Sequence, residues 1–168
     1  LSKEISISNS NPSIRCIILT GSGDKAFVAG ADIKEFVSFT KSEGEKLARE
    51  GQELLFDKLS NLETPTIAAI NGFALGGGLE LAMSCHIRVA SENTKMGLPE
   101  VSLGVIPGYG GTQRLTELVG KGRAIEMITA ANMIGSNKAL QWGLVNHICS
   151  FEELMPKAKE IASRIISN

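Results

Sequence analysis

The sequence predicts an α/β fold with a largely parallel sheet. Short apolar, β-branched runs alternate with helical stretches along all 168 residues, the pattern of strands joined by helical crossovers. The run Thr66-Ile67-Ala68-Ala69-Ile70 leads, through the glycines Gly76 to Gly78, into a helical pattern, so bare backbone lies where that helix begins. No low-complexity stretch or linker divides the chain, and its length suits a single core domain over residues 1–168.

Taken in order, Leu1 to Ile7 reads as the end of an amphipathic helix, followed by the turn cluster Asn9-Ser10-Asn11-Pro12. Ile14 to Thr20 is apolar and β-branched, hence a buried strand, and Gly21-Ser22-Gly23-Asp24 stops it. Lys25 to Phe36 is rich in small residues and reads as a loop leading into a short helix. Ser42 and Glu45 fit a capping box for a long helix over Glu43 to Leu62, with Leu47, Leu54, Leu55, Leu59 and Leu62 on its apolar face. Thr64-Pro65 ends it. Thr66 to Ile70 is then a strand, Gly78 to Ser84 a helix, Ile87 to Ala90 a strand and Thr94 to Gly97 a shorter one. Beyond the glycine-rich turn Pro107 to Gly111, Thr112 opens a helix that Gly120 closes, and Arg123 to Ala130 continues as helix. Ser136 to Trp142 is a helix stopped by Gly143, and Leu144 to Cys149 is the last strand. Ser150 with Glu153 caps a closing helix whose apolar positions are Leu154, Ala158, Ile161, Ala162 and Ile165.

Composition narrows the function. The chain has 17 basic and 18 acidic residues and a formal net charge of -1, so nothing global attracts it to nucleic acid or to an anionic membrane. Its lysines and arginines are dispersed, which argues against an RNA partner. No apolar run approaches the roughly 20 residues of a membrane span. Cys16, Cys85 and Cys149 are far apart and lack C-x-x-C spacing, as expected of reduced thiols in the core of an intracellular protein. The first residue, Leu1, falls within a helix-like pattern, so a fragment of a longer protein is expected. The expected location is cytoplasmic, or the mitochondrial matrix if a transit peptide preceded Leu1.

Chemistry gathers between Asn71 and Glu100. Backbone N–H groups at a helix start attract negative charge, and Glu80 follows on the first turn of that helix. A second carboxylate, Glu100, stands beside Pro99 in a loop. Donors and two acid/base groups in one region suggest carbonyl chemistry. Each carboxylate alone could be structural, Glu80 capping its own helix and Glu100 making a surface salt bridge.

Three motifs together, Lys25 to Lys34 containing Ala29-Gly30-Ala31-Asp32, Asn71 to Glu80, and Gly97 to Leu115, resemble the enoyl-CoA hydratase (crotonase) family. The resemblance implies a spiral of ββα turns, here without the N-terminal strands and the C-terminal helices of a complete member. It also implies homotrimers or dimers of trimers, and acyl thioesters of coenzyme A as substrates. It places oxyanion-hole amides at Ala31 and Gly77, and lines the CoA path with Ala29, Ala31, Asp32, Ile33 and Lys34. Gly108 is placed near the reacting carbons, and Glu80 and Glu100 match the acid/base pair. The implied reaction is hydration of trans-2-enoyl-CoA to 3-hydroxyacyl-CoA, with no metal and no cofactor beyond the CoA of the substrate. Double-bond isomerases, thioester hydrolases and decarboxylases share the oxyanion hole and stay open as alternatives. One departure stands out: His86 occupies a position where the family commonly has Asp.

A rival of another class is a dinucleotide-binding module, since Gly21 to Ala26 fits G-x-G-x-x-A after a strand. The residues after it make a poor phosphate-binding helix, and no acidic residue ends a second strand about 20 residues on. The segment therefore reads as a turn. His86 beside Cys85 lacks the partners that a metal site needs.

Overall fold

The computed structural model describes residues 1–30 and 39–168. The elements are α1 (Ser2–Ser10), β1 (Ile17–Thr20), β2 (Ala26–Val28), α2 (Lys41–Gly51), a π-helical stretch (Gln52–Phe56), α3 (Asp57–Ser60), β3 (Thr66–Ile70), β4 (Phe73–Leu75), α4 (Gly77–Ser84), β5 (Ile87–Ser91) and β6 (Lys95–Gly97). A 3-10 turn (Glu100–Leu103) follows, then α5 (Gly111–Val119), α6 (Lys121–Thr129), β7 (Met133–Gly135), α7 (Ser136–Trp142), β8 (His147–Cys149) and α8 (Phe151–Ser167).

Among the described residues the strands form two four-stranded sheets, in the orders β1-β3-β5-β8 and β2-β4-β6-β7. From β1 to β6 successive strands enter the first sheet and then the second, which generates a ββα spiral, and β7 and β8 then extend the second and the first sheet with α7 between them. The pairings are parallel except for β6 with β7. Strand β3 lies inside the first sheet and is buried at every residue. Its side chains alternate between faces: Ala68 and Ile70 join the main core with Phe56, Leu79 and Leu115, while Ile67 and Ala69 meet Leu154, Ala158 and Ala162 of α8. The closing helix therefore buries the face predicted for it, and Ser150 caps it by accepting from the Glu153 amide.

Several local expectations are corrected. Ala26–Val28, Phe73–Leu75 and Met133–Gly135 are strands, where the sequence reading had placed a loop or left the segment unassigned. Strands of three residues are too short for a period of two to register. The predicted strand over 14–20 is confined to Ile17–Thr20, and that over 144–149 to His147–Cys149. Gly143 and Leu144 instead donate to the carbonyls of Leu140 and Ala139, which folds the start of that segment into the end of α7. The long helix is capped by Thr40 and Glu43, each side chain bonding the other's backbone amide, rather than by Ser42 and Glu45. Its π-helical stretch puts an extra residue into a turn and rotates the apolar stripe, so Phe56 is buried and Leu54 is 63% exposed. The predicted short helix before Phe36 falls outside the described residues.

Two contacts settle further sequence questions. Asn71, 2% exposed, accepts from the Gly21 amide at 3.0 Å and donates to the carbonyls of Gly21 and Gly23. It locks the G-x-G segment as a turn between β1 and β2, so the segment runs directly into a strand rather than into a helix start that could receive a pyrophosphate. His86 Nδ1 accepts from the Thr66 amide at 3.0 Å and lies 3.0 Å from Thr66 Oγ1, while Thr66 Oγ1 accepts from the His86 amide. This histidine thus makes a local structural contact joining the starts of β3 and β5.

Candidate active site

The site is assembled around the start of α4. The chain leaves β4 through Gly76, whose φ of 54° suits a residue without Cβ, and the Gly76 amide donates to Gly97 O of β6 at 2.9 Å. Gly78 packs on the end of β2, where an added Cβ would come within 2.8 Å of the Val28 carbonyl carbon and side chain. Between them Gly77 is only half-buried, with the Tyr109 ring about 3.5 Å from where its Cβ would lie. As the first residue of α4 it has an amide without an acceptor inside the helix, at the end where the helix dipole favours negative charge.

Glu80 stands one turn into α4 and is 1% exposed. Its Oε1 accepts from the amides of Tyr109 and Gly111, each at 2.8 Å. Those amides come from a tight turn in which Gly110 is left-handed, and Gly111 can approach because it has no Cβ, which would lie 2.7 Å from Oε1. Burial raises the Glu80 carboxyl above its ordinary value, while the Gly111 and Tyr109 amides and the Arg114 charge oppose that rise.

Glu100 enters from the neighbouring strand of the same sheet, as the first residue of the 3-10 turn after β6, which pairs with β4. Its Oε1 lies against Gly76, 2.9 Å from a would-be Cβ, and its Oε2 is buried without a hydrogen-bond partner among the described residues. Burial, opposed by its own amide and reinforced by the charge of Glu80, pushes the Glu100 carboxyl up to about 7. The two carboxyls at the start of α4 are therefore unlike: Glu80 is held by amides that favour its anion, and Glu100 is poised to hold a proton near neutrality.

An open groove of about 890 Å³ runs between α2 and the segment leading into α5, lined by Lys41, Ala48, Gln52, Ile106, Gly108 and Gly110 but by neither carboxyl. Of the residues expected from sequence, Gly77, Glu80 and Glu100 are brought together. Gly108 lies on the groove wall facing Ala48, and it is the next residue, Tyr109, whose amide reaches Glu80. Ala29 is exposed just past β2, and Gly30 passes the Leu75 carbonyl 3.6 Å from its would-be Cβ, so this segment runs alongside the end of β4. Ala31, Asp32, Ile33 and Lys34 lie outside the described residues. Sequence reasoning missed the Tyr109 and Gly111 amides and Arg114, for which the glycine-rich turn was the available signal.

A family model described as enoyl-CoA hydratase/isomerase matches residues 4–168. The chain belongs to the enoyl-CoA hydratase/isomerase family. It is 54% identical over 155 residues to the short-chain-enoyl-CoA hydratase of Clostridium acetobutylicum, covering 92% of this chain and 59% of that protein. It is 49% identical over 159 residues to the crotonyl-CoA hydratase of Syntrophomonas wolfei, covering 95% and 61%. A crystal structure of an enoyl-CoA hydratase from Bacillus anthracis superposes with a TM-score of 0.93 at 42% identity, covering 99% of this chain and 65% of that one. The chain thus spans about three fifths of the length of these two relatives. The crotonase-type fold expected from the motifs is the fold observed.

The raised Glu100 carboxyl has a thermodynamic consequence. The folded protein binds this proton more tightly than the unfolded chain does, so the stabilisation is complete below the ordinary carboxylate range and is lost as pH rises through about 7. Glu100→Gln is therefore expected to gain stability relative to the unsubstituted protein as pH rises through that window, read from urea denaturation at several pH values. A pH-independent difference between the two proteins would contradict the assignment.

Proposed function

We propose that the intact protein hydrates trans-2-enoyl-CoA thioesters to 3-hydroxyacyl-CoA. The observation that supports this most is the unlike pair of carboxyls, Glu80 and Glu100, beside the Gly77 amide at the start of α4. In this reading the thioester oxygen accepts hydrogen bonds from the amides of Gly77 and Ala31, which makes the β-carbon electrophilic and stabilises the enolate-like charge. Loss of one such donor costs about 3 to 4 kcal/mol of transition-state stabilisation in other enzymes. Glu80, its anion favoured by two amides, takes a proton from water as the water oxygen bonds to the β-carbon. The Glu100 proton passes to the α-carbon, and return of the Glu80 proton to Glu100 restores the starting state. The net change is the addition of one water, and coenzyme A enters only as part of the substrate, along Ala29, Ala31, Asp32, Ile33 and Lys34, with Gly108 near the reacting carbons.

We take short-chain enoyl thioesters as the substrates. The names of the Clostridium and Syntrophomonas relatives point this way. Isomerisation moves a proton between carbons and can proceed with one carboxyl, so the presence of two favours hydration.

Glu80→Gln and Glu100→Gln are each expected to lower kcat for crotonyl-CoA hydration by roughly 100-fold or more while leaving acetoacetyl-CoA binding nearly unchanged. Turnover at the unsubstituted rate in either variant would favour the isomerase reading instead.

The assembly we propose is a homotrimer or a dimer of trimers. Leu103, Val105 and Ile106, exposed in sequence just after Glu100, with Met133 and Ile125, offer apolar surface suited to a neighbouring subunit. Light scattering on the intact protein should give a trimeric or hexameric mass, and a fully active monomer would exclude this assembly.

A further inference from the structure

We propose that Arg114 is a positioning residue for Glu80: it holds the Tyr109–Gly111 turn against Asp57 and Ser60, and that turn supplies the amides that orient the carboxylate. This inference rests on the hydratase reading. Arg114 projects from α5, its side chain 14% exposed, and its three nitrogens engage three different residues. Nε donates to Ser60 Oγ at 3.0 Å, Nη2 to Asp57 Oδ1 at 3.0 Å, and Nη1 to the Tyr109 carbonyl at 2.6 Å. The amide of that same Tyr109 donates to Glu80. A hydrogen-bonded path therefore runs from α3 through the guanidinium and one residue of the turn to the carboxylate, across segments more than 20 residues apart in the chain.

The surroundings are built for this contact. Asp57 Oδ1 also accepts from Gln52 Nε2, so the acceptor is itself fixed from the π-helical stretch. Gly110, at a φ of 81°, leaves room for the guanidinium where a side chain would collide with Nη1. Gly51 leaves room for the Tyr109 ring, since an added Cβ would lie 2.5 Å from Cε1. A planar guanidinium can reach three acceptors in different directions, which an ammonium cannot do with the same geometry. The Arg114 charge also favours ionised Glu80.

The test uses the intact enzyme with crotonyl-CoA over about pH 5 to 9, each rate normalised to the folded fraction measured by circular dichroism. Arg114→Met is expected to lower kcat by about 10- to 100-fold with KM nearly unchanged, because the carboxylate is misplaced while substrate contacts remain. It should also move the acidic limb of the kcat profile to higher pH, because Glu80 loses a cation that favours its anion. Arg114→Lys should keep the limb in place yet remain slow. Folded Arg114→Met with unsubstituted kcat and an unmoved limb would overturn the proposal. Should Arg114→Met fail to fold, Asp57→Asn decides: it leaves the cation in place and is expected to lower kcat at least about fivefold at constant KM, while an unchanged kcat overturns the proposal. Absence of hydration by the unsubstituted protein would instead remove the hydratase reading itself, so the two failures are distinguishable.

Discussion

The start of α4 has to be bare backbone, and much of the molecule is arranged to make that possible. Gly76 turns with a positive φ against the Glu100 carboxyl, Gly78 is pressed on the end of β2, and Gly77 stays half-open beside the Tyr109 ring. A Cβ at Gly76 would come within 2.9 Å of Glu100 Oε1, and one at Gly111 within 2.7 Å of Glu80 Oε1. The glycines thus set how near the acids can stand to the helix terminus, and in the proposed reaction the amides there meet a developing negative charge that a side chain would otherwise screen.

Such a site is costly to fold. One carboxyl is taken out of water and the other is half-buried, with an oxygen that finds no partner among the described residues, and burial drives both upward in pKa. The compensation comes from the scaffold. Strand β3, buried on both faces, anchors the first sheet between α8 and the main core, while β4 and β6 of the second sheet present α4 and Glu100 side by side. The ββα spiral has a direct consequence for the proposed site. Each turn delivers one strand to each sheet, so residues about 20 apart in sequence, such as Glu80 and Glu100, arrive at one place.

Legibility in the sequence followed length and side-chain signal. Thr66–Ile70, Ser136–Trp142 and the helix containing Glu80 were readable because a continuous apolar run, the Gly143 stop and the glycines Gly76 to Gly78 respectively marked them. The strands Ala26–Val28, Phe73–Leu75 and Met133–Gly135 were not, since three residues cannot display a period. The cap of α2 was misplaced by two residues because Thr40 with Glu43 and Ser42 with Glu45 fit the same pattern, and local sequence does not rank them. In the site, Glu80, Glu100 and Gly77 were legible as side chains and glycines in linked motifs. The donors to Glu80 were not, because they are backbone amides of Tyr109 and Gly111 whose direction depends on the fold of a distant turn.

The central claim is that the Gly77 amide and the two glutamates act on one bound thioester. A crystal structure of the intact protein with acetoacetyl-CoA tests this most directly. The account predicts the thioester oxygen about 2.7 to 3.1 Å from the Gly77 nitrogen, with Glu80 and Glu100 both facing the acyl carbons. A thioester oxygen directed away from α4, with either carboxyl remote from those carbons, would contradict it.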